Sequence, residues 1–230
     1  EYDHADIFPD LAAIETQFHH LVRTIPSNGL IIRPRPDEAL DRVLARGCWS
    51  PVEAFGPGGH WQHAPRNGDP CHFDVVLDGS PLGTIGWNIS GEHNRMNALA
   101  ALAAARHAGV APATSIQALS RFQGVKRRLE LRGTVNQIKV YDDFAHHPTA
   151  IATTLEGLRR QVGKARILAV IEPRSNTMKL GTMAARLPQA LEQADQVFCF
   201  GATSGRHALG WNPAEVLAPM GTRASSYDNL

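Results

Sequence analysis

After Phe122 the sequence alternates between two types of segment, and this alternation limits the folds that the chain can adopt. From there to the end of the chain, short apolar segments alternate with longer amphipathic ones. The pattern predicts strands near 129–132, 137–142, 166–171 and 196–200, and helices near 148–162, 178–194 and 213–218. Alternation of this kind favours a parallel sheet covered by helices.

Residues 1–121 have a different organisation. Apolar periodicity and alanine-rich composition predict helices at 10–25, at 37–47, from an N-cap at Ser90 to Gly109, and at 112–121. A short strand is predicted at 29–34 and a hairpin at 71–87, with Asp78-Gly79 as its turn. The change of pattern near residues 120–123 predicts a boundary between domains 1–121 and 122–230.

Composition narrows the class of protein. With 230 residues, of which 43% are hydrophobic and 20% charged, the chain can bury a globular core. No apolar run is long enough to span a bilayer, and the first residues are not typical of a signal peptide, so we expect no membrane partner. The three cysteines, Cys48, Cys71 and Cys199, form no paired metal motif or disulfide framework, which favours a cytoplasmic location.

The net charge of +1 conceals a difference between the two halves. Residues 1–121 carry 9 basic and 13 acidic residues, whereas residues 122–230 carry 14 basic and 9 acidic residues. The basic half could attract a phosphorylated ligand or nucleic acid, although a solvated surface is the simpler explanation. Aromatic residues are only 7% of the chain and are not interleaved with the basic ones. We therefore expect no nucleic-acid partner.

The segment YDDFAHHP (141–148) places two carboxylates and two histidines between a predicted strand and a predicted helix. Asp142 and Asp143 end the strand, and Pro148 suits the first turn of the helix. Ligands bind at the carboxyl ends of parallel strands, where a carboxylate could accept hydrogen bonds from a sugar. Adjacent side chains on a strand point to opposite faces, so at most one aspartate faces a given ligand. A metal site and an ordinary capped helix start remain alternatives.

The segment GEHNRMN places three polar residues near a predicted helix start. His93 and Asn97 are four positions apart and Asn94 and Asn97 are three apart, so they neighbour one another on one helix face. An amide side chain both donates and accepts hydrogen bonds, which suits the edge of an adenine ring. A polar helix start without a ligand is the alternative.

Two further segments carry charges that could bind ligands. In FQGVKRRLE, the basic run from Lys126 to Arg128 follows Gly124, and arginine forks match phosphate oxygens. In EYDHAD, His4 lies among acidic residues and could ligate a divalent cation. An exposed linker and a surface loop are the respective alternatives.

Taken in order, these segments resemble a known family. EYDHADIF, GEHNRMNALAALAA, FQGVKRRLELRG and VYDDFAHHPTAI are similar to the landmarks of the Mur ligases, the ATP-dependent amide-forming enzymes of peptidoglycan synthesis. The resemblance covers essentially the whole chain. It implies an α/β fold class: residues 1–121 would be the C-terminal part of the central ATP-binding domain. Residues 122–230 would be a Rossmann-like, mostly parallel C-terminal ligase domain, truncated at its end.

The segment EPRSNTMKLG (172–181) implies a branch of that family. It is similar to the branch that joins the tripeptide L-Ala-γ-D-Glu-meso-diaminopimelate to UDP-N-acetylmuramate in peptidoglycan recycling. These two molecules would then be the substrates. The branch that joins L-alanine to UDP-N-acetylmuramate shares the ATP-site segments and is the alternative. An alternative of another class is a non-catalytic nucleotide- or peptide-binding module.

The resemblance also implies roles for single residues. His4 would be a ligand of Mg²⁺. The implied ATP-binding residues are His93, Asn94, Asn97, Arg128 and Asp143, with Asn94 and Asn97 at the adenine, Arg128 at the phosphates and Asp143 at the ribose. The implied catalytic residues are Arg128, His146 and His147. The implied peptide-binding residues are Arg174, Ser175, Asn176 and Lys179.

Several family features are absent from this sequence. No Gly-x-x-Gly-Lys-Thr/Ser loop occurs to hold the ATP phosphates, and no lysine precedes Lys126. The second absence fits the two branches above, which do without a carbamylated lysine. With no UDP-sugar-binding domain either, we expect a partial chain that is inactive alone and needs its missing domains.

Overall fold

The computed structural model describes residues 1–66, 69–87, 89, 91–202, 204–205 and 208–229. The chain forms two compact units. The first unit contains residues 11–124 together with Glu1, and the second contains residues 2–10 and 125–230. The first residues of the chain therefore pack with its C-terminal half, which the sequence patterns did not predict. The names given above to domains 1–121 and 122–230 stay predictions.

The first unit is a five-stranded sheet with helices. Its helices are α1 (Leu11–Thr24), α2 (Glu38–Ala45), α3 (Glu92–His107) and α4 (Pro112–Ser120). Its strands are β1 (Ile31–Pro34), β2 (Val52–Phe55), β3 (Trp61–Arg66), β4 (Asp69–Leu77) and β5 (Ser80–Gly86). The strands lie in sequence order, with parallel pairing from β1 to β3 and antiparallel pairing from β3 to β5.

The core of this unit lies between its sheet and α3. The helix presents a stripe of small and aliphatic residues spaced three and four apart, which are Ala98, Leu99, Leu102 and Ala103. This stripe packs in one cluster with Trp61, Phe73 and Ile85 of the sheet, all fully buried. Burial of this stripe, more than helix propensity alone, holds α3 in place.

The second unit contains two separate sheets. Its strands are β6 (Glu130–Val135), β7 (Ile138–Asp142), β8 (Leu168–Ile171), β9 (Gln196–Phe200) and β10 (Ala224–Tyr227). Its helices are α5 (Pro148–Val162), α6 (Asn176–Leu180), α7 (Leu187–Ala190) and α8 (Pro213–Leu217). Strands β8 to β10 form a parallel sheet in the order β10-β9-β8, and β6 and β7 form an antiparallel hairpin. The predicted α/β class with mostly parallel sheets is confirmed.

The structure corrects two predictions about this half and adds one strand. Strand β7 is not part of the parallel sheet, because the two-residue turn Asn136-Gln137, with φ of 48° and 65°, pairs it with β6. The helix predicted at 178–194 is broken, since Gly181 ends α6 in the left-handed conformation at φ 78°. A 3₁₀ turn at Ala184–Arg186 then precedes α7. Strand β10 was not predicted at all.

Two remaining observations concern the helices. The expected N-cap Ser90 lies outside the described residues, and the N-cap position of α3 is held by Gly91. In the part of the chain that the structure describes, no helix combines the length and apolar character needed to cross a membrane.

Candidate functional site

Asp143 is the residue around which the corner after β7 is organised. Its Oδ2 accepts a hydrogen bond from the N–H of Leu129 at 2.7 Å. Its Oδ1 accepts from the N–H of Ala145 at 2.8 Å and from the hydroxyl of Thr154 at 3.3 Å. Because these donors lie before β6, after β7 and in α5, one carboxylate joins three segments of the second unit. The preceding Asp142 instead forms an ion pair with Arg127 at 3.4 Å.

The basic run before β6 is folded back onto this corner. Arg127 and Leu129 adopt left-handed backbone conformations, with φ of 59° and 50°. The guanidinium groups of Arg127 and Arg128 lie 5.0 Å and 5.7 Å from the centre of the Phe144 ring. Arg128 is exposed, and its guanidinium has no ion-pair partner among the described residues. Its charge is therefore available to an anionic ligand.

A carboxylate fixes the backbone of the same run. The N–H of Arg127 donates to Glu130 at 2.8 Å. This bond, and the positive charges of Arg132 and Lys126, hold the pKa of Glu130 below its usual value. Glu130 therefore keeps its negative charge to a lower pH than an ordinary glutamate, and it holds the turn that presents Arg128.

The two histidines of the corner have different environments. His147 is buried and is the N-cap of α5, where its Nδ1 accepts a hydrogen bond from the N–H of Thr149 at 3.3 Å. Since Nδ1 accepts, Nε2 carries the proton and donates to the carbonyl of Tyr2 at 3.2 Å. His146 is exposed, and its Nδ1 lies 2.9 Å from the carbonyl oxygen of Phe144. His147 thus has a structural role here, and only His146 presents its ring to solvent.

The predicted peptide-binding residues lie in and before α6, after the carboxyl end of β8. Arg174 pairs with Glu172 at 2.6 Å, and Ser175 is the N-cap of α6, where it accepts from the N–H of Met178. The Nδ2 of Asn176 donates to Asp6 at 2.7 Å. Lys179 lies in the last turn of the helix. The four residues share one short stretch, but Asn176 is already occupied by the chain itself.

The residues around His4 do not by themselves fit a magnesium site. Asp3 accepts hydrogen bonds from the N–H of His4 at 2.7 Å and the hydroxyl of Thr177 at 2.8 Å. Burial acts to raise the pKa of Asp3, but the hydrogen bonds from the N–H of His4 and from Thr177 hold the pKa below its usual value. Within the described ranges, no group of three histidine, cysteine, aspartate or glutamate side chains is arranged to hold a metal ion. The role of His4 as a ligand stays a prediction.

The predicted adenine-binding residues lie in the first turns of α3. Gly91 precedes them at φ 98°, a backbone conformation that residues with a side chain rarely adopt, so the position favours glycine. The Nδ2 of Asn94 lies 3.1 Å from the Nε2 of His93. Asn97 is exposed one turn further on. The structure therefore brings all three together at one helix end.

Sequence reasoning missed the residue that fixes this helix end. His63 on β3 contacts Glu92 of α3 through Nε2 and Oε1 at 2.5 Å. Glu92 also pairs with Arg95 at 3.5 Å, and the Arg95 guanidinium lies 5.9 Å from the centre of the Phe73 ring. A lone histidine in a strand carries no spacing signal, so only the fold could identify it.

Sequence reasoning also missed a cleft beside α6. The cleft, of about 620 Å³, opens at the carboxyl ends of β9 and β10, where Trp211, Asn212 and Asp228 contribute to its wall. The indole N–H of Trp211 donates to the carbonyl of Met178 at 2.6 Å. The N–H of Gly210 donates to the carbonyl of Lys179 at 2.8 Å. The cleft is thereby joined to the helix that carries the predicted peptide-binding residues. The segment GWNP, which follows a predicted strand, is the sequence signal that could have indicated this cleft.

Comparison with known proteins relates the chain to one family. Residues 127–230 match the family model described as Mur ligase, glutamate ligase domain. The chain is 52% identical, over 94% of its length, to the UDP-N-acetylmuramate–L-alanyl-γ-D-glutamyl-meso-2,6-diaminoheptandioate ligase of Escherichia coli strain K12. It is 35% identical, over 75% of its length, to the UDP-N-acetylmuramate–L-alanine ligase of Salinibacter ruber.

A solved structure of the same family is also similar to this chain. The crystal structure of a murein peptide ligase from Psychrobacter arcticus superimposes with a TM-score of 0.70 and 40% identity, over 96% of this chain and 48% of that one. The chain covers 47% of the Escherichia coli ligase and 37% of the Salinibacter ruber ligase. It therefore spans about half the length, or less, of the curated relatives it matches.

Proposed function

This chain belongs to the Mur ligase family, and we propose that its whole protein joins L-Ala-γ-D-Glu-meso-diaminopimelate to UDP-N-acetylmuramate with ATP. The observation that carries the proposal is the 52% identity to the Escherichia coli ligase named for these two substrates. Joining L-alanine is the second candidate, supported by the lower identity to the Salinibacter ruber ligase. Because ATP and UDP-sugars are made inside the cell, we place the protein in the cytoplasm.

The proposed reaction has two steps. The muramate carboxylate attacks the γ-phosphorus of ATP, which forms an acyl phosphate and releases ADP. The free amine of the peptide then attacks the acyl carbon, the amide bond forms, and inorganic phosphate leaves with the electron pair of the broken C–O bond. Both steps require neutralised phosphate charge and aligned reactants. Mg²⁺ is the cation that ordinarily accompanies ATP.

We assign the exposed guanidinium of Arg128 to the ATP phosphates. Arg127 is paired with Asp142. Arg128 has no ion pair among the described residues, so its guanidinium can bind a phosphate without first breaking an existing ion pair. Stacking on Phe144 holds the guanidinium while leaving its N–H edge for phosphate oxygens. Neutralisation of the transferred phosphate is the role that this geometry supports.

Asp143 can serve the ribose and the corner together. A carboxylate offers about four lone-pair positions, and three hydrogen bonds within the protein leave one for a ribose hydroxyl. The three internal bonds also hold the carboxylate in one orientation before the nucleotide arrives. We assign His93, Asn94 and Asn97 to the adenine, since an amide side chain can pair with the adenine edge.

The peptide is assigned to the start of α6 and the cleft beside it. Lys179 supplies positive charge for a substrate that carries several carboxylates, and Arg174 can add its charge by exchanging its ion pair with Glu172 for one with the substrate. The bond from Trp211 to the carbonyl of Met178 holds the cleft wall against the same helix. An extended tripeptide could therefore contact α6 at one end and the cleft at the other.

The test is phosphate release by the whole protein with ATP, Mg²⁺ and UDP-N-acetylmuramate. Release with the tripeptide and not with L-alanine is expected. Release with L-alanine alone would overturn the proposal in favour of the second candidate. Arg128→Ala should lower kcat at least tenfold, while Arg160→Ala, which removes an exposed arginine paired with Glu156 on α5, should retain the wild-type rate. Equal rates for the two variants would remove Arg128 from the mechanism.

A further inference from the structure

The first turns of α3 lie outside the core that holds the rest of the helix. The fully buried stripe of α3 begins at Ala98, whereas Glu92, His93 and Asn97 are exposed. Gly91, at the N-cap, makes no side-chain capping hydrogen bond. Burial therefore holds the body of the helix more firmly than the turns that carry the predicted adenine-binding residues.

A polar contact ties the first residue of α3 to the sheet. The Nε2 of His63, on β3, lies 2.5 Å from the Oε1 of Glu92. The other carboxylate oxygen of Glu92 lies 3.5 Å from the guanidinium of Arg95, which itself packs on the Phe73 ring of β4. Glu92 directly precedes His93 in the chain, so the contact with His63 holds the backbone from which the first adenine-binding side chain projects.

The second ring nitrogen of His63 shows what this histidine is used for. The side chain is only 12% exposed, and its Nδ1 is buried with no hydrogen-bond partner among the described residues. A buried nitrogen without a partner lowers stability, and an apolar side chain of similar size would avoid that cost. Packing alone would therefore favour an apolar residue at this position, and the contact with Glu92 is what a histidine adds.

We propose that His63 and Glu92 form a positioning pair that sets the affinity and the base preference of the adenine site. The inference rests on the proposed function, which assigns His93, Asn94 and Asn97 to the adenine. Hydrogen bonds from amide side chains to an adenine edge depend on distance and angle, so a displaced first turn would weaken them. The pair acts through the backbone of α3 and fixes this turn before the nucleotide arrives, which lowers the cost of ordering it on binding.

The experiment is calorimetric titration of the whole protein with ATP and with inosine triphosphate, both in the presence of Mg²⁺. His63→Leu removes both ring nitrogens, fills the buried space and should weaken ATP binding about threefold to tenfold. An asparagine amide pairs with the exocyclic amine of adenine. Inosine triphosphate has an oxygen in place of that amine, so its affinity should fall less. His63→Gln keeps a side-chain N–H that can donate to Glu92 and should recover most of the affinity for ATP.

Two further variants separate the pair from general effects on α3. His107→Leu changes an exposed histidine at the other end of the helix and should bind both nucleotides like the wild type. Glu92→Ala should weaken ATP binding by a factor similar to that of His63→Leu, and should add little in the His63→Leu background. The melting temperature of His63→Leu should not fall below that of the wild type, because the unpaired buried nitrogen is removed. Its kcat at saturating ATP should stay within about twofold of the wild type, since the pair acts on binding.

Each contrary outcome overturns a stated part of the inference. Wild-type affinity for ATP in His63→Leu would overturn the positioning role and leave the proposed function standing. An equal loss of affinity for ATP and for inosine triphosphate would overturn the link to the adenine. A loss that comes with a lower melting temperature and is not recovered by His63→Gln would show a structural role in place of a positioning one. Absence of ATP binding by the wild type would overturn the proposed function, and the role of the pair with it.

Discussion

The carboxylate of Asp143 and the backbone N–H of Leu129 form a 2.7 Å hydrogen bond across 14 residues of sequence. The bond holds the turn that presents Arg128 against the corner where the nucleotide is proposed to bind. The sequence motif marked Asp143 as a ligand residue, whereas the structure shows it first as the link between the basic run, the corner and α5.

Asp143→Ala should therefore destabilise the chain. Three internal donors lose their acceptor, and each unsatisfied donor carries a cost, so we expect a loss of about 1–3 kcal/mol in the free energy of unfolding. The control is Asp142→Ala, which removes the neighbouring carboxylate and a partly exposed ion pair, and should cost less than about 1 kcal/mol. Chemical denaturation of the two variants and the wild type measures the difference.

A purely nucleotide-binding aspartate would behave differently. Its removal would weaken ATP binding and leave the unfolding transition where it is in the wild type. Observation of that pattern in Asp143→Ala would contradict the linking role that its three hydrogen bonds indicate.

His147→Ala should destabilise α5 because it removes the N-cap. The side chain accepts from the N–H of Thr149 and donates to the carbonyl of Tyr2, so its loss should cost about 1–2 kcal/mol. His147→Asn keeps a capping oxygen and should recover part of that loss. His146→Ala, at an exposed position, should stay within about 0.5 kcal/mol of the wild type. Equal melting temperatures for the two alanine variants would argue against the cap.

Local patterns predicted most of the helices and strands for identifiable reasons. Helix α5 has Pro148 in its first turn and an apolar stripe, and both signals are local. Strand β10 was missed because its four residues, ASSY, are mostly small and polar and are held by pairing with β9 rather than by their own propensity. The helix break after α6 occurs at Gly181. Trp211 packs so closely against Gly181 that a Cβ there would lie 2.8 Å from the indole ring, and local sequence does not reveal this long-range contact.

The candidate site shows a similar division. The sequence motifs identified Arg128, Asp143 and the α6 turn as candidate site residues, because each lies next to a turn or a helix start. The pairing of Asp6 with Asn176 spans 170 residues of sequence, and no local signal encodes such a contact. The same holds for His63, which contacts Glu92 from another strand. Sequence patterns do not determine which polar side chains pair with residues far away in the sequence.

Cys199 should be unreactive in the folded chain. It lies on β9 with no exposed surface, and burial raises the pKa of its thiol to about 11, so very little thiolate forms at neutral pH. Cys48 and Cys71 are half-buried. Iodoacetamide labelling followed by peptide mass spectrometry should modify Cys199 at least tenfold more slowly than Cys48, and the difference should vanish in denaturant. Rapid labelling of Cys199 under native conditions would contradict its place in the core.

Asp195 should make the stability of the second unit depend on pH in the acid range. The N–H of Ile167, at 2.7 Å, and the guanidinium of Arg159, at 2.6 Å, hold the pKa of Asp195 below its usual value. A carboxyl group whose pKa is lower in the folded state stabilises the fold above its unfolded pKa of about 3.9, and loses that effect as the pH falls through the folded value. Asp195→Asn should therefore be less stable than the wild type at pH 7, with the difference shrinking as the pH falls below about 4.

The measurement is urea denaturation of the wild type and Asp195→Asn at a series of pH values. The control is Thr222→Ala, an exposed position without a titratable group, whose difference from the wild type should not change with pH. Arg159 also donates to the carbonyls of Gly163, Ala165 and Gln193, so the ion pair closes the loop between α5 and β8. If the stability difference between the wild type and Asp195→Asn stayed constant down to about pH 2, the charge on Asp195 would not contribute to stability. The effect of the substitution would then come from the change in hydrogen bonding and shape alone.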